Sequence, residues 1–348
     1  MKIGIDASRS QDMIQKTGVE HISDSLVRGL AERLSTEHDV YLYTPSRIDS
    51  IAHGSQKIMP FPRLWTVVRL SLELIINRPD IYFSPVHELP FFCPKNTYRL
   101  VHDVAFLKRG KSYSLFQKLY MRFGIWRSVK VCKKIFVPTE AVKRDLLEYT
   151  DAREDQVVAI GFGFDRKNKD NTKYANKNQF VFVGRVEDKK NLINVIKGFE
   201  IFSNNTPGYT LVIAGKPGHG YHEIEEVVNS SDSDIKLMGY IDDQYKDELQ
   251  QSATAVLLIS REEGFGIPIL EGFDWGSVVI AADIPHLREI GGDACIYVKP
   301  HSPEAIAYTL GVSTDPEVQD SYPDKGFRQI RHFHWNIVYQ NIIDTFFS

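Results

Sequence analysis

Twelve short runs rich in Val, Ile, Phe and Tyr recur along the chain, and the stretches between them are long enough for helices. Parallel strands that helices cover on both faces have this continuous apolar character. The alternation predicts an α/β fold with two doubly wound, Rossmann-like domains, each built on a parallel sheet. The predicted strands are residues 2–6, 40–43, 81–84, 98–102, 134–138 and 157–160 in the first half, and 180–184, 209–214, 235–238, 255–259, 278–281 and 295–298 in the second.

The length of 348 residues also suggests two domains, since one domain takes about 150 residues. Residues 166–178 are polar, rich in Asn and Lys and almost free of apolar side chains, which is typical of a solvated linker. We therefore expect an N-terminal domain at 1–165 and a C-terminal domain at 179–325. Residues 326–348 carry apolar side chains at helix-compatible positions and are expected to form a terminal helix.

Charge and cysteine content exclude several classes of protein. The 42 Lys and Arg residues against 45 Asp and Glu residues give a net charge of -3, which argues against nucleic-acid binding over the whole surface. The three cysteines are far apart, so neither a disulfide framework nor a zinc site is expected. The first ten residues lack the order of a secretion signal, and no apolar stretch reaches the roughly 20 residues needed to cross a bilayer. We expect a cytoplasmic protein.

The segment 260–272, SREEGFGIPILEG, follows an apolar strand and predicts a glycine-rich turn that opens a helix. Gly264 and Gly266 allow the backbone to approach a ligand closely, and a helix N-terminus attracts phosphate. Carboxylates would repel that phosphate, so Glu263 and Glu271 are expected to accept hydrogen bonds from neutral hydroxyls, such as those of a sugar. The alternative is that Glu263 solvates the turn and Glu271 is an ordinary surface residue.

A second cluster, GRVEDKKNL at 184–192, also follows an apolar strand. Arg185 is expected at the carboxyl end of that strand and Lys190 at the start of the next helix. Open α/β sheets bind ligands at the carboxyl ends of their strands. Two cations there could neutralise a leaving diphosphate without a metal, although a charged surface loop would have a similar composition.

These motifs and their order resemble the retaining glycosyltransferases of family 4, also called group 1, which have the GT-B fold. The second half carries the closer match: the strand ending in GR, Lys190 with Asn191, LVIAGK at 211–216, LMGYI at 237–241, two glutamates separated by seven residues, and Trp335 in the closing helix. The first half matches more loosely, through TGVEHISDSL at 17–26, LVHDV at 100–104 and VPTEAVKRDL at 137–146. Ile259 and the GFGF of 161–164 depart from the usual pattern of the family.

The resemblance implies two domains that face a central cleft, with the helix in 326–348 crossing back to the N-terminal domain, which would hold the acceptor. It also implies a role for each matching residue. Arg185 and Lys190 would bind the donor diphosphate, and Glu271 would bind the ribose. The transferred sugar would be bound by Glu263 and by the backbone of Gly264, Phe265, Gly266 and Ile267, and the base by the backbone of Tyr240 and Ile241. His102 would touch the donor sugar or reaction centre, and Gly18 would leave space for the phosphate.

The activity that the resemblance implies is transfer of a hexose, with retention, from a nucleotide sugar to a glycan or lipid-linked saccharide in envelope polysaccharide synthesis. GDP-mannose is the first expected donor and a UDP-hexose the second, with no metal or other cofactor. Asp232-Ser233-Asp234 matches a metal-binding pattern of other glycosyltransferases but lies in a polar loop, and a hard cation needs more converging oxygens. A nucleotide-sugar epimerase, a phosphorylase-like enzyme and a non-catalytic sugar-binding or regulatory protein are the alternatives on the same fold.

Residues 104–139 contain nine Lys or Arg and no Asp or Glu, interleaved with aromatic residues. Such a basic amphipathic stretch is typical of a segment that lies on an anionic membrane surface. We expect peripheral contact with the inner face of the membrane. The alternative is a core helix with a basic outer face.

Overall fold

The computed structural model describes residues 1–10, 18–86, 88–108 and 115–348. The chain divides into two compact units. The first unit combines Met1–Gly163 with His334–Ser348, and the second unit is Phe164–Phe333. Thr17 of the expected glycine loop and residues 109–114 of the basic segment lie outside the described residues.

The first unit is built on a seven-stranded parallel sheet, which confirms the predicted class of fold. Its strands are β1 (Lys2–Asp6), β2 (Asp39–Thr44), β3 (Ser55–Ile58), β4 (Ile81–Ser84), β5 (Thr97–Leu100), β6 (Lys134–Val137) and β7 (Val157–Ala159), in the order β3-β2-β1-β4-β5-β6-β7. Six of them match predicted runs. Strand β3 was missed because it lies at the edge of the sheet, where its SQKI sequence is mostly exposed and has no apolar run.

The helices of the first unit follow the predicted spaces between strands. They are α1 (Gly18–Leu34), a π-helical stretch Trp65–Leu70 that runs directly into α2 (Ser71–Ile76), α3 (Ala105–Lys108), α4 (Leu115–Val131) and α5 (Glu140–Tyr149), followed by a 3-10 turn at Glu154–Gln156. Thr139 caps α5, since its hydroxyl accepts a hydrogen bond from the backbone N–H of Val142 at 3.1 Å and thereby satisfies a free donor of the first turn.

The second unit is built on a six-stranded parallel sheet, as predicted. Its strands are β8 (Gln179–Val183), β9 (Thr210–Ala214), β10 (Ile235–Gly239), β11 (Ala255–Leu258), β12 (Val278–Ala282) and β13 (Cys295–Val298), in the order β10-β9-β8-β11-β12-β13. Its helices are α6 (Leu192–Asn205), α7 (Tyr221–Asn229), α8 (Asp243–Gln251), α9 (Ile267–Asp274), α10 (Pro285–Gly291), α11 (Pro303–Ser313) and α12 (Pro316–Gln329), with 3-10 turns at Asp188–Lys190 and Ile330–His332.

The order of strands sets where a ligand can bind. In the second sheet the chain builds outward in opposite directions from the neighbours β8 and β11. The loops that follow these two strands therefore leave a crevice between them, and open α/β sheets bind ligands outside the carboxyl ends of the strands at such a switch point. The segments after β8 and β11 are the two clusters that the sequence singled out.

The polar segment 166–178, which the sequence predicts to be a solvated linker, belongs to the second unit, although most of its residues after Asn168 are exposed. Arg166 forms an ion pair with the buried Asp274 at 3.0 Å. The other carboxylate oxygen of Asp274 accepts the backbone N–H groups of Lys167 at 2.7 Å and Asn168 at 3.3 Å. The start of this polar segment is thus fixed to the second unit by an ion pair and hydrogen bonds to one buried carboxylate.

The end of the chain also differs from the expected single helix over 326–348. The end of α12 and the turn Ile330–His332 belong to the second unit, whereas a last helix, α13 (Trp335–Phe347), belongs to the first. The backbone is extended at His334, which separates them. Tyr339 of α13 packs directly on Gly29, where a Cβ would lie 2.1 Å from the ring. A small residue is therefore required on α1 at this contact.

Candidate functional site

An ion pair spans the switch point of the second sheet. Lys190, in the turn after β8, places its Nζ 2.5 Å from Oε1 of Glu263, in the loop after β11. Both side chains are largely buried, at 14% and 12% exposed. The hydroxyl of Ser260 donates a second hydrogen bond to the same oxygen at 2.7 Å. The structure thus brings together one residue from each of the two sequence clusters.

The ion pair fixes the ionisation state of Glu263. Burial opposes the charged form, but the charges of Lys190 and Lys189 and the hydrogen bonds from Lys190 and Ser260 outweigh it, so that the pKa of Glu263 lies below its ordinary value of 4.5. Glu263 is therefore a carboxylate at neutral pH. It can accept hydrogen bonds or stabilise a positive charge, and it is not an acid that could donate a proton there.

Glu271 lies on α9 and is held by two residues of α8. Its Oε1 is 2.9 Å from Nζ of Lys246, and its Oε2 accepts a hydrogen bond from Nε2 of Gln250 at 3.2 Å. Burial opposes the charged form of Lys246, but Glu271 and Asp243 outweigh it and raise its pKa above the ordinary value. Sequence analysis missed Lys246 and Gln250, because a spacing of four residues in a mostly polar helix does not indicate which acidic residue they contact.

Arg185 follows β8 with an exposed side chain. Its stem passes Gly218, where a Cβ would lie 2.9 Å from Cγ and Cδ of Arg185. No hydrogen bond or ion pair joins its guanidinium to any residue that the structure describes. Arg185 is thus a cation at the ligand-binding edge of the sheet that a bound anion can reach.

A third cation, which the sequence analysis did not assign, lies beside Arg185 on the same edge. Lys216 follows β9, and its Nζ lies 4.8 Å from the ring centre of Tyr240, which follows β10. Tyr240 is exposed and Ile241 half-buried. A flat ring at the edge of the sheet is suited to stacking on a planar group.

The entrance of α9 has the geometry that the glycine-rich motif predicts. Gly266 precedes the first helical residue, Ile267, with φ of 99°, which a glycine adopts without strain. No side chain caps this helix start. Phe265 is buried and packs edge-on against Phe333 at 5.9 Å, so that the segment containing Gly264 is anchored. Pro268 has no N–H, and the N–H of Ile269 donates to the carbonyl of Gly266 at 2.9 Å. The N–H of Ile267 is therefore the group of this first turn that could bind an anion.

Asn191 holds the two clusters in place. It is buried, with φ of 62°, and its amide donates to the carbonyl oxygens of Ile259 at 3.2 Å and Pro300 at 2.5 Å. Its Oδ1 accepts a hydrogen bond from Nε of Arg261 at 2.9 Å. This residue therefore supports the loops after β8 and β11, and the sequence resemblance had matched it without a role.

The two remaining predicted site residues, His102 and Gly18, lie in the first unit. His102 is buried, and its Nε2 is 3.0 Å from the carbonyl oxygen of Pro85. Because a carbonyl can only accept, Nε2 carries the proton. The ring also packs against Phe162 at 5.9 Å. Gly18 is exposed and begins α1. The predicted contacts of both residues with a donor remain predictions.

The described part of the chain contains no group of three or more His, Cys, Asp or Glu residues placed to hold a metal ion. Within the same residues, none of the helices combines the length and the apolar character that spanning a bilayer would require.

The edge of the second sheet therefore combines two kinds of chemistry. Arg185, Lys216 and the positive end of α9 present positive charge, which suits a phosphate or diphosphate. Glu263 and Glu271 are held by cations from neighbouring elements, which leaves further oxygen lone pairs for hydroxyl groups. A molecule that has both a diphosphate and sugar hydroxyls matches this arrangement.

Comparison with known proteins agrees with this geometry. The sequence model of the family described as "Glycosyl transferases group 1" matches residues 163–311, which correspond to most of the second unit. Among curated relatives, O-antigen chain mannosyltransferase B of Escherichia coli is 22% identical over 353 residues, covering 92% of this chain and 93% of that protein. O-antigen chain mannosyltransferase RfbU of Salmonella typhimurium is 26% identical over 245 residues, covering 69% of this chain and 67% of that protein.

The fold is also found in solved structures. HepE of Anabaena, solved in complex with UDP and glucose, superimposes with a TM-score of 0.74 at 15% sequence identity and covers 99% of both chains. At 15% sequence identity this similarity establishes a shared fold. The family match and the curated relatives indicate a glycosyltransferase whose residues 163–311 are similar to the group 1 family, and the likeness to HepE shows that the whole chain shares its two-domain fold.

Proposed function

We propose that this glycosyltransferase moves a hexose, with retention and without a metal, from a nucleotide sugar to a glycan or lipid-linked saccharide of an envelope polysaccharide. The ion pair between Lys190 and Glu263 is the observation that carries the proposal. A cation and a carboxylate lie together after the carboxyl ends of β8 and β11, and open α/β sheets bind ligands at such ends. Breaking a glycosidic bond to a diphosphate generates the complementary charges, negative on the diphosphate and positive on the sugar.

Three groups of this chain would hold the diphosphate. Arg185 is exposed and has no partner among the described residues. The N–H of Ile267 begins α9 without a side-chain cap. Lys190 has two ammonium protons beyond the one it gives to Glu263. Lys190 can therefore bind phosphate without releasing Glu263. As the diphosphate leaves, its growing negative charge strengthens these contacts, and this lowers the barrier.

Glu263 would act on the sugar. It is ionised, because its pKa lies below the ordinary value, and it is oriented by Lys190 and Ser260. A fixed carboxylate can accept sugar hydroxyls and stabilise positive charge at the anomeric carbon. The departing phosphate takes the proton of the acceptor hydroxyl, so the acceptor can attack from the same face without a protein base. Glu271, fixed by Lys246 and Gln250, would accept the ribose hydroxyls.

The relatives guide the choice of donor sugar. Two curated relatives are named O-antigen mannosyltransferases, which supports mannose as the hexose and GDP-mannose as the first donor. HepE, which has the same fold, was solved with UDP, which keeps a UDP-hexose as the second. The acceptor would be a growing glycan or a lipid-linked saccharide.

A donor screen tests the proposal. The protein is incubated with GDP-mannose, UDP-glucose and UDP-galactose, with and without saccharide acceptors. Products are detected by mass spectrometry, and NMR determines their anomeric configuration. We expect a mannosylated acceptor, with α-mannose retained, in the presence of EDTA. Conversion of the donor without an acceptor, or an inverted product, would contradict the proposal.

A matched pair of variants locates the donor. Arg185→Gln should weaken binding of the donor nucleotide at least about tenfold, since hydrogen bonds to charged groups contribute about 1.5–3 kcal/mol. Arg328→Gln is the control, because Arg328 is an exposed arginine of the same unit at the end of α12. Isothermal titration with GDP and UDP measures both. Equal affinities in the two variants would place the diphosphate elsewhere.

A further inference from the structure

The outward face of α4 carries large apolar side chains instead of the basic outer face of an ordinary core helix. Leu119, Phe123 and Trp126 are four and three residues apart, and they are 60%, 58% and 53% exposed. The rings of Phe123 and Trp126 stack at 5.9 Å. The other face of the helix buries Ile125 and Ser128. An apolar stripe of this width on a packed helix marks a surface that contacts another apolar phase.

A second apolar stripe lies on the helix of residues 65–76. Val68, Leu72, Ile75 and Ile76 recur at helical spacing and are exposed, Ile76 by 74%. The opposite face of the same helix packs in the core of the first unit. The outward side of this helix is therefore apolar, whereas the outward side of an ordinary surface helix is polar.

The segment 88–92 connects the two helices. The backbone N–H of Phe91 reaches the carbonyl of Val67 at 3.4 Å. From the other side, Arg127 of α4 donates to the carbonyl of Phe91 at 2.6 Å and lies 5.9 Å from its ring centre. The ring of Phe91 is 78% exposed. The two stripes thus meet through an exposed phenylalanine between them.

The charges around this surface are almost all positive. Segments 63–78, 88–92 and 104–139 together contain twelve Lys or Arg and two acids, Glu73 and Glu88. Glu88 is exposed and accepts a hydrogen bond from the hydroxyl of Tyr120 at 3.0 Å. Glu73 is buried and paired with Arg69 at 3.3 Å. Arg63, Arg78, Arg122 and Lys130 are exposed. Because the whole chain has a net charge of -3, these cations are concentrated here and do not reflect a general excess.

The partner that fits such a surface is an anionic lipid bilayer. Aromatic residues and leucines bury into the boundary between headgroups and acyl chains, while lysines and arginines attract anionic headgroups. A second copy of the same chain fits poorly, because a symmetric contact would place two positively charged surfaces against each other.

We propose that Val68, Leu72, Ile75, Ile76, Phe91, Leu119, Phe123 and Trp126, with their flanking cations, form a docking face for anionic bilayers. The docking face belongs entirely to the first unit. The inference goes beyond the proposed reaction and specifies where that reaction occurs.

Vesicle flotation tests this inference without any transfer reaction. The full chain is mixed with vesicles of phosphatidylcholine alone or with phosphatidylglycerol added. We expect binding to the anionic vesicles that falls as salt is raised. Phe123→Ser with Trp126→Ser should reduce the partition coefficient at least about tenfold, and Leu72→Ser with Ile76→Ser should do the same, since both stripes belong to one face.

The control removes equally exposed apolar residues elsewhere. Tyr308→Ser with Ile201→Ser changes two exposed side chains of the second unit and should leave vesicle binding unchanged. Unchanged binding of the Phe123/Trp126 variant, or equal binding to neutral and anionic vesicles, would overturn the inference. The inference would also be overturned if the unaltered protein formed a dimer without lipid and Phe123→Ser with Trp126→Ser abolished that dimer. Thermal shift with GDP on the same samples reports nucleotide binding separately and confirms that each variant is folded.

Discussion

At the scale of single residues, the pair of Lys190 and Glu263 decides the chemistry of the site. Removing one partner of a buried ion pair leaves the other without compensation and costs about 3–5 kcal/mol. Lys190→Met should therefore destabilise the second unit by about this amount and raise the pKa of Glu263, because its main cation is lost. Glu263→Gln should cost less, since Ser260 and Lys190 can still donate to the amide oxygen.

The double variant separates the pair from its surroundings. We expect Lys190→Met with Glu263→Gln to lose less free energy of unfolding than the sum of the single variants, as measured by urea denaturation. Transfer activity should be lost in all three proteins, whereas Glu263→Gln alone should keep nucleotide binding. Strictly additive losses would mean that the two side chains do not interact in solution.

Asp6, at the end of β1, should make stability depend on pH. It is fully buried, Oδ1 accepts the N–H of Ser8 at 2.9 Å, and Oδ2 has no hydrogen-bond partner in the described chain. Burial raises the pKa of Asp6 from 3.8 to about 6. The folded state therefore favours the protonated carboxyl of Asp6. The resulting stability is fully present below the pKa of Asp6 in the unfolded chain, 3.8, and is lost as pH rises through about 6. The loss is about 3 kcal/mol.

Asp6→Asn removes this titration and keeps the shape of the side chain. The free energy of unfolding of the wild-type protein should fall relative to that of Asp6→Asn as pH rises from about 4 to about 7. Urea denaturation at several pH values in that range measures this difference. The difference between the two proteins isolates Asp6 from other groups that titrate. A difference independent of pH would show that the carboxyl is solvated.

At the scale of elements, the segment 166–168 is anchored to α9 by Asp274. This residue receives an ion pair from Arg166 and two backbone hydrogen bonds, all of them to one buried carboxylate. Asp274→Asn keeps the acceptor oxygen but removes the charge, and should lower the free energy of unfolding of the second unit by about 2–3 kcal/mol. Tryptophan fluorescence in urea reports this, because Trp275 is adjacent.

Asp247→Asn is the matched control. Its partner Lys167, at 2.5 Å, is 48% exposed, and exposed ion pairs contribute about 0–1 kcal/mol. Asp274→Asn and Asp247→Asn each remove one carboxylate from an ion pair with the segment, the first with Arg166 and the second with Lys167. Equal losses would indicate that the segment is not fixed through Asp274.

At the scale of the whole molecule, the last helix belongs to the first unit although the second unit precedes it in the chain. Phe346 of α13 is buried against Tyr98, Phe83 and Phe136, with ring centres at 4.7, 5.8 and 6.2 Å. Phe346→Ala should destabilise the first unit by about 3–5 kcal/mol, because it leaves a cavity in the core.

The neighbouring substitution Phe347→Ala is the control, since Phe347 is 45% exposed. Calorimetry should show that Phe346→Ala lowers the transition of the first unit, with the second unit still stabilised by nucleotide. Multidomain chains commonly show such separate transitions. A loss of nucleotide affinity in Phe346→Ala would place part of the nucleotide site under the control of α13.

The sequence by itself determined the parallel sheets and the two clusters at their edge. A buried parallel strand is apolar along its whole length, and this local pattern marked all strands except the polar edge strand β3. Gly266 and Pro268 specified the turn into α9 in the same local way, because each of them restricts or frees the conformation of its own backbone.

Only the tertiary structure decided which side chains meet. The partner of Glu263 is 73 residues away in the chain, that of Glu271 is 25 and that of Asp274 is 108, and no local pattern encodes such pairings. Composition marked 104–139 as basic and aromatic, but burial of Ile125 and Ser128 decided that Phe123 and Trp126 face outward. Local propensity shapes an element, whereas packing between distant elements fixes which atoms it presents.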